Sequence, residues 1–267
     1  MPTLHDPVAF SVFGLEIRWY ALILLSGIVG AIVLIQWLVR RRGMDRDFIL
    51  DIAPWVVAIA IVCARLGYVL VSWDSFRDDP LDALNIREGG IAIHGAVLGG
   101  ALVVAWFCRQ RRYRFLLWGD LILTGVALGQ AIGRWGNWAN QEAFGTPTSL
   151  PWAVTIDPER RPAEYADQAT FHPTFLYESI ANLVNVGVMT WVVLRMPGHR
   201  WLREGDAVWA YMVLYGVERA IIESIRTDSV YVGPLPGPTW VSLVLIIGGV
   251  LGGVLRRTVW PAPAVSR

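Results

Sequence analysis

The sequence predicts an all-α integral membrane protein of seven transmembrane helices, with its N-terminus outside, its C-terminus cytoplasmic and a small extracytoplasmic head. Three observations predict it: the composition, the recurrence of apolar runs near spanning length, and the uneven placement of arginine between the loops. Hydrophobic residues make up 55% of the 267 and charged residues only 17%, with a mean hydropathy of +0.46. A soluble domain carries about 25% charge, and an apolar excess this large exceeds what one water-facing globule hides. A net charge of +1 gives no field for attracting a polyanion. The composition therefore excludes a nucleic-acid binder, a disordered chain and a secreted disulfide scaffold. Cys63 and Cys108 sit inside apolar stretches and form no spaced framework.

A helix crossing the hydrocarbon needs about 20 residues. The first such run is Trp19–Val39, closed by Arg40, Arg41 and Arg42. Residues 1 to 17 before it carry His5, Asp6 and Glu16 rather than a basic n-region, so they do not read as a cleavable signal. The second run is Phe48–Val71, the third Ile91–Cys108 and the fourth Phe115–Ile132. Three more come at Phe175–Leu194, Ala207–Ile222 and Thr239–Leu255, the sixth interrupted by Glu218 and Arg219. All 23 basic residues are arginine. Fourteen fall after spans one, three, five and seven, eight on the opposite side, and Arg65 lies within a span. The richer side is cytoplasmic. The acidic loop after span two (Asp74, Asp78, Asp79, Asp82, Glu88) is then outside, and 14 tryptophans fit interfacial belts. The whole chain, 1–267, reads as one transmembrane domain. Its head is the loop 133–173, with turn signals and a candidate strand within Pro151–Ile156.

Ionisable groups at membrane depth are costly and point to function, and here they gather at the outer level. Arg18 and Tyr20 open span one, Arg65 lies near the outer end of span two, and His94 is just inside span three. Span four runs out into Arg134, Asn137, Asn140, Glu142 and Gly145, and span five begins at His172, Tyr177 and Glu178. Span six ends with Tyr215, Arg219, Glu223 and Arg226. The i, i+4, i+7 spacing of Arg219, Glu223 and Arg226 suits a phosphate-binding helix face or an intrahelical salt-bridge ladder. Arg134, amid glycines and asparagines, suggests a tight turn against a head group, or an interfacial arginine snorkelling to lipid. His94 lies between Gly90 and Gly95, with Gly99 and Gly100 beyond; those small residues suit close helix packing as well as catalysis. No HExxH occurs and no cysteine joins the cluster, so no metal site is expected.

The motifs as they stand resemble those of prolipoprotein diacylglyceryl transferases. Gly133-Arg134-x-Gly136-Asn137-x-x-Asn140-x-Glu142-x-x-Gly145 is similar to the family's signature, and His172-Pro173-Thr174-x-Leu176-Tyr177-Glu178 to its second outer motif. Arg18-Trp19-Tyr20, Arg65-x-Gly67-Tyr68, His94-Gly95 and Tyr215-Gly216-x-x-Arg219-x-x-x-Glu223-x-x-Arg226 also match in order, from Arg18 to about Leu255. Three positions depart from the family. Glu218 stands where an aromatic is usual, Arg226-Thr227-Asp228 is a residue short, and Thr239 replaces a glutamine.

The resemblance implies transfer of a diacylglyceryl group from phosphatidylglycerol to the lipobox cysteine thiol of a prolipoprotein signal peptide, giving a thioether and glycerol phosphate. It implies a multi-pass protein of the bacterial cytoplasmic (inner) membrane, with the site near the outer leaflet and both substrates arriving through membrane lipids. The chemistry fits these residues: His94 has the right group to take the thiol proton, with His172, Glu142 or water as the alternative base, and Arg134 and Arg219 offer forked donors to the phosphate. The other polar residues of the cluster bind substrate, with Asn137, Asn140 and Glu142 on the glycerol hydroxyls. No metal or organic cofactor and no nucleic acid are expected, and a monomer is expected. A retinal protein is excluded because the chain has no lysine. A metal-dependent membrane hydrolase using His94, His172, Glu142 and Glu178, and a lipid transporter, are the alternatives.

Overall fold

The computed structural model describes residues 1–259 apart from 5, 78, 86–89 and 91. The readings placed on His5, Asp78, Arg87, Glu88, Arg267 and the Ile91 start of span three lie outside those residues. Among the described residues, seven α-helices carry the fold: α1 Trp19–Arg41, α2 Asp47–Val71, α3 Ile93–Gln110, α4 Phe115–Asn140, α5 Thr174–Arg195, α6 Asp206–Glu223 and α7 Gly237–Thr258. Among the described residues, six are by length and composition long and apolar enough to cross a membrane; α6 is not one of those six. Small antiparallel hairpins precede α1 (β1 Val8–Val12, β2 Leu15–Arg18) and α7 (β5 Tyr231–Val232, β6 Leu235–Pro236). A third pair, β3 Val154–Thr155 with β4 Thr170–Phe171, lies between α4 and α5. Only these two residues of the expected 151–156 stretch pair as a strand.

Residues 43–118 form one compact unit, and residues 1–42 with 119–267 form the other. In the smaller unit, α2 and α3 touch through glycine. A β-carbon on Gly95 would collide with the Cys63 carbonyl, and one on Gly99 would stand 2.8 Å from Cys63 Sγ. The packing reading of the α3 glycines is the one the geometry supports. At the opposite end, Arg111 reaches Asp45 at 3.3 Å and Asp51 at 2.5 Å, while the Tyr113 hydroxyl donates to Asp45 at 2.8 Å. These bonds hold the Asp45 carboxyl below its usual range, the Tyr113 hydroxyl first among the causes.

In the larger unit, α1 crosses α4 at a backbone-to-backbone seam. A β-carbon on Gly27 would lie 3.0 Å from the Gly129 carbonyl oxygen, and one on Gly125 would lie 2.5 Å from Ile35. Gly216 on α6 and Gly249 and Gly252 on α7 meet the facing helix in the same manner. Asp120, fully buried on α4, accepts the N–H groups of Gly205 (2.7 Å) and Val208 (2.9 Å). A side chain of one helix thus caps the unpaired start of another. Between α4 and α5, Phe144, Val154, Ile156, Phe171 and Phe175 form a small apolar core under Trp138, Tyr165 and Leu176. Burying each such side chain is worth about 1.5–3 kcal/mol, enough to give so short a segment its own shape. The N-terminal residues close one side: Thr155 N–H donates to Met1 O, and the Trp138 indole to Pro2 O.

Two local readings are corrected. The α4 helix continues eight residues past Ile132, so Arg134, Asn137 and Asn140 stand on a helix and not in a turn. The segment has no proline, and its Gly136 is needed for packing: a β-carbon there would lie 2.8 Å from the Tyr20 ring. The α6 helix ends at Glu223, so Arg226 is beyond it and the one-face triplet is a pair followed by a loop residue.

Candidate active site

In the larger unit, α4 and α6 each bring a guanidinium to one carboxylate on α5. Glu178, on the second turn of α5, is 1% exposed. Its Oε1 lies 2.9 Å from Arg134 Nη2 of α4 and 3.2 Å from Arg219 Nη1 of α6. Arg219 turns its other fork tip to Glu223 Oε2 at 2.6 Å, one turn on, and the Ser229 hydroxyl donates to Glu223 Oε1 at 2.7 Å. The Glu178 Oε2 atom is buried, with no hydrogen-bond partner among the described residues. Guanidinium is suited to this arrangement, because its rigid fork serves two acceptors at once. Both arginine side chains keep some exposure, 20% for Arg134 and 14% for Arg219, so an arriving anion can still reach them.

Around this centre stand three smaller groups. At the end of α4, Asn137 and Asn140 both donate to Glu142 Oε1, at 3.0 and 3.3 Å. The fold back is made by Gln141 and Ala143, both at positive φ (54° and 57°), where side chains other than glycine are uncommon. The Gln141 amide is tied to Leu4 O and to Asp157. Next, the Tyr177 hydroxyl lies 3.1 Å from His172 Nδ1 and accepts the Trp152 indole N–H at 3.0 Å. Last, Arg226 makes a two-point contact with Asp228 at 2.8 and 2.6 Å. Burial alone would raise the Asp228 carboxyl, but the Arg226 bonds outweigh it and hold that carboxyl below its usual range. Gly145 joins these segments: its N–H donates to His172 O, it bridges to Arg226, and a β-carbon on it would lie 2.9 Å from both His172 and the Ile225 carbonyl.

Arg18, Tyr20 and Tyr215 belong to the same larger unit. Arg18 is exposed at the end of β2, and Tyr20 lies against Gly136. Tyr215 stacks on Tyr211 at 5.5 Å, one turn before Arg219. Arg65 and His94 belong to the smaller unit. Arg65 is buried, donates to the carbonyls of Ala83, Asp82 and Gly90, and lies over the rings of Tyr68 and Phe76. Its geometry is that of a loop anchor. His94 is exposed on the first turn of α3.

Sequence reasoning missed a buried polar group next to the centre. The Glu218 carboxylate accepts from the Asn182 amide at 2.8 Å and the Asn185 amide at 3.5 Å. Glu178, Asn182 and Asn185 are spaced i, i+4, i+7 on α5, and that stripe of polar residues was a readable signal.

Comparison with known proteins bears on these groups. The family model described as prolipoprotein diacylglyceryl transferase matches residues 7–255. Proteins named phosphatidylglycerol–prolipoprotein diacylglyceryl transferase are similar along nearly the whole chain. That of Synechococcus elongatus is 43% identical over 94% of this chain and 87% of its own length. The one from Acaryochloris marina is 44% identical over 94% and 90%. The one from Finegoldia magna is 38% identical over 92% and 94%.

Proposed function

Because the chain belongs to the prolipoprotein diacylglyceryl transferase family, we propose that it transfers the diacylglyceryl group of phosphatidylglycerol to the lipobox cysteine of a prolipoprotein. The observation that carries the reading is the convergence of Arg134 and Arg219 on one buried carboxylate oxygen. A thiolate sulfur attacks the glyceryl carbon that bears the phosphate ester; the C–S bond forms, the C–O bond breaks, and glycerol phosphate leaves with the electron pair. Two guanidiniums offer fixed donors where that negative charge develops. Glu178 and Glu223 hold both forks in place, which makes them positioning residues. The Asn137–Asn140–Glu142 group supplies polar atoms suited to glycerol hydroxyls. His94 takes the thiol proton, since a thiol with a pKa near 8.5 needs a base at neutral pH.

The protein acts as a monomer with seven spans, α6 included, in the bacterial inner membrane, its reacting groups near the outer leaflet. The direct test mixes purified protein with phosphatidylglycerol and a lipobox peptide and looks for a peptide mass gain equal to diacylglyceryl. The same gain is expected in the presence of EDTA. Loss of turnover with EDTA and recovery with zinc would favour a metal-dependent hydrolase. Orientation is testable with single cysteines at positions 42, 79, 112 and 159 and an impermeant thiol reagent on intact cells. Labelling of 79 and 159 alone is expected; labelling of 42 and 112 alone would invert the topology.

A further inference from the structure

The opposite end of the larger unit carries a second cluster of guanidiniums. Glu178 lies near the N-terminal end of α5, whereas Arg200, Trp201 and Arg203 come after its C-terminal end and Arg257 closes α7. These four side chains line a shallow, open surface cavity of about 410 Å³. Arg257 is fixed by Asp206, Nη1 to Oδ1 at 3.0 Å and Nη2 to Oδ2 at 2.9 Å. Arg203 Nη1 donates to the carbonyls of Arg256 and Arg257. Among the described residues, neither Arg200 nor Arg203 has a carboxylate within ion-pair distance. Two of the three cations are thus held in place by contacts that leave a net positive lining, and no carboxylate lines the cavity. Trp201, 75% exposed, stands beside them.

We infer that this cavity binds the phosphate of an anionic phospholipid. The guanidiniums supply forked donors for phosphate oxygens. The exposed indole suits the boundary between head groups and acyl chains, where tryptophan collects. The ends of the apolar helices α5 and α7 bring such lipids alongside, and basic pockets of this kind between helices take anionic head groups. The site is about the length of α5 away from Arg219, and its lipid is bound rather than consumed.

The test is native mass spectrometry of the detergent-purified protein titrated with dioleoyl phosphatidic acid, which lacks the glycerol head group. Arg200→Gln and Trp201→Ala, the second as a variant without charge change, are compared with wild type, with thermal melting as the fold control. Each variant is expected to lose one bound lipid, or to bind it about five- to tenfold more weakly. Dioleoyl phosphatidylcholine should bind equally to all three proteins, and millimolar inorganic phosphate should not displace the lipid. Unchanged phosphatidic acid binding in both variants would overturn the site. Full displacement by inorganic phosphate would make it a site for free phosphate and overturn the lipid assignment.

Discussion

Arg134→Lys and Arg219→Lys are each expected to cut transfer about 10- to 150-fold. A buried charge-assisted hydrogen bond is worth about 1.5–3 kcal/mol, which converts to that range if it is made in the transition state. Lysine keeps the charge but loses the fork. Arg219 already spends one tip on Glu178 and the other on Glu223, and an ammonium, whose donors all leave one nitrogen, lacks the planar spread that bridges the two carboxylates while facing a phosphate. The loss should appear in kcat as well as kcat/KM, measured with the lipobox peptide at saturating lipid. Near wild-type turnover in either variant would make that arginine an interfacial anchor.

His94→Gln is expected to bind phosphatidylglycerol normally and to transfer about 10²- to 10⁴-fold more slowly, the usual worth of a general base. The pH dependence carries the sign. Below the thiol's own pKa, about 8.5, the variant has no group to make the thiolate. As pH rises through that value the thiolate forms unaided, so the variant should regain part of the deficit while the wild type gains little. A deficit that vanishes at high lipid concentration would move His94 to head-group binding.

The long helices were legible because hydropathy over a spanning length is a signal that local sequence cannot easily counterfeit. Six of the expected runs reappear as helices able to span. The end of α4 was not legible, because Gly133, Gly136, Asn137 and Asn140 are turn formers by propensity, and tertiary contact overrode them. Gly136 is small for the sake of the Tyr20 ring, a partner on a helix far away in sequence. The Arg219–Glu223 pair was legible in its spacing, yet the stop of α6 is set by a distant segment. Ile225 O, just past that helix, is taken by Thr146 N–H from the other side of the head. Glu218 stood out as a departure from the family, but its amide partners sit on another helix. The hairpin before α1 turns on Phe13 and Gly14 at positive φ, a two-residue device too short to register in hydropathy.

The seam between Gly27 and Gly129 changes how sequence drift in this chain should be judged. Alanine at Gly27 would be no more polar than glycine and a better helix former, so hydropathy and propensity would both accept it. The added methyl would stand 3.0 Å from a main-chain oxygen that has no rotamer to escape into, and α1 and α4 would have to part. Arg134 rides on α4 little more than a turn beyond Gly129, so the separation would be felt at the carboxylate it shares with Arg219. In the least polar stretch of the molecule, tolerance to mutation is set by the thickness of two backbones, and variants harmless to insertion can still be harmful to turnover.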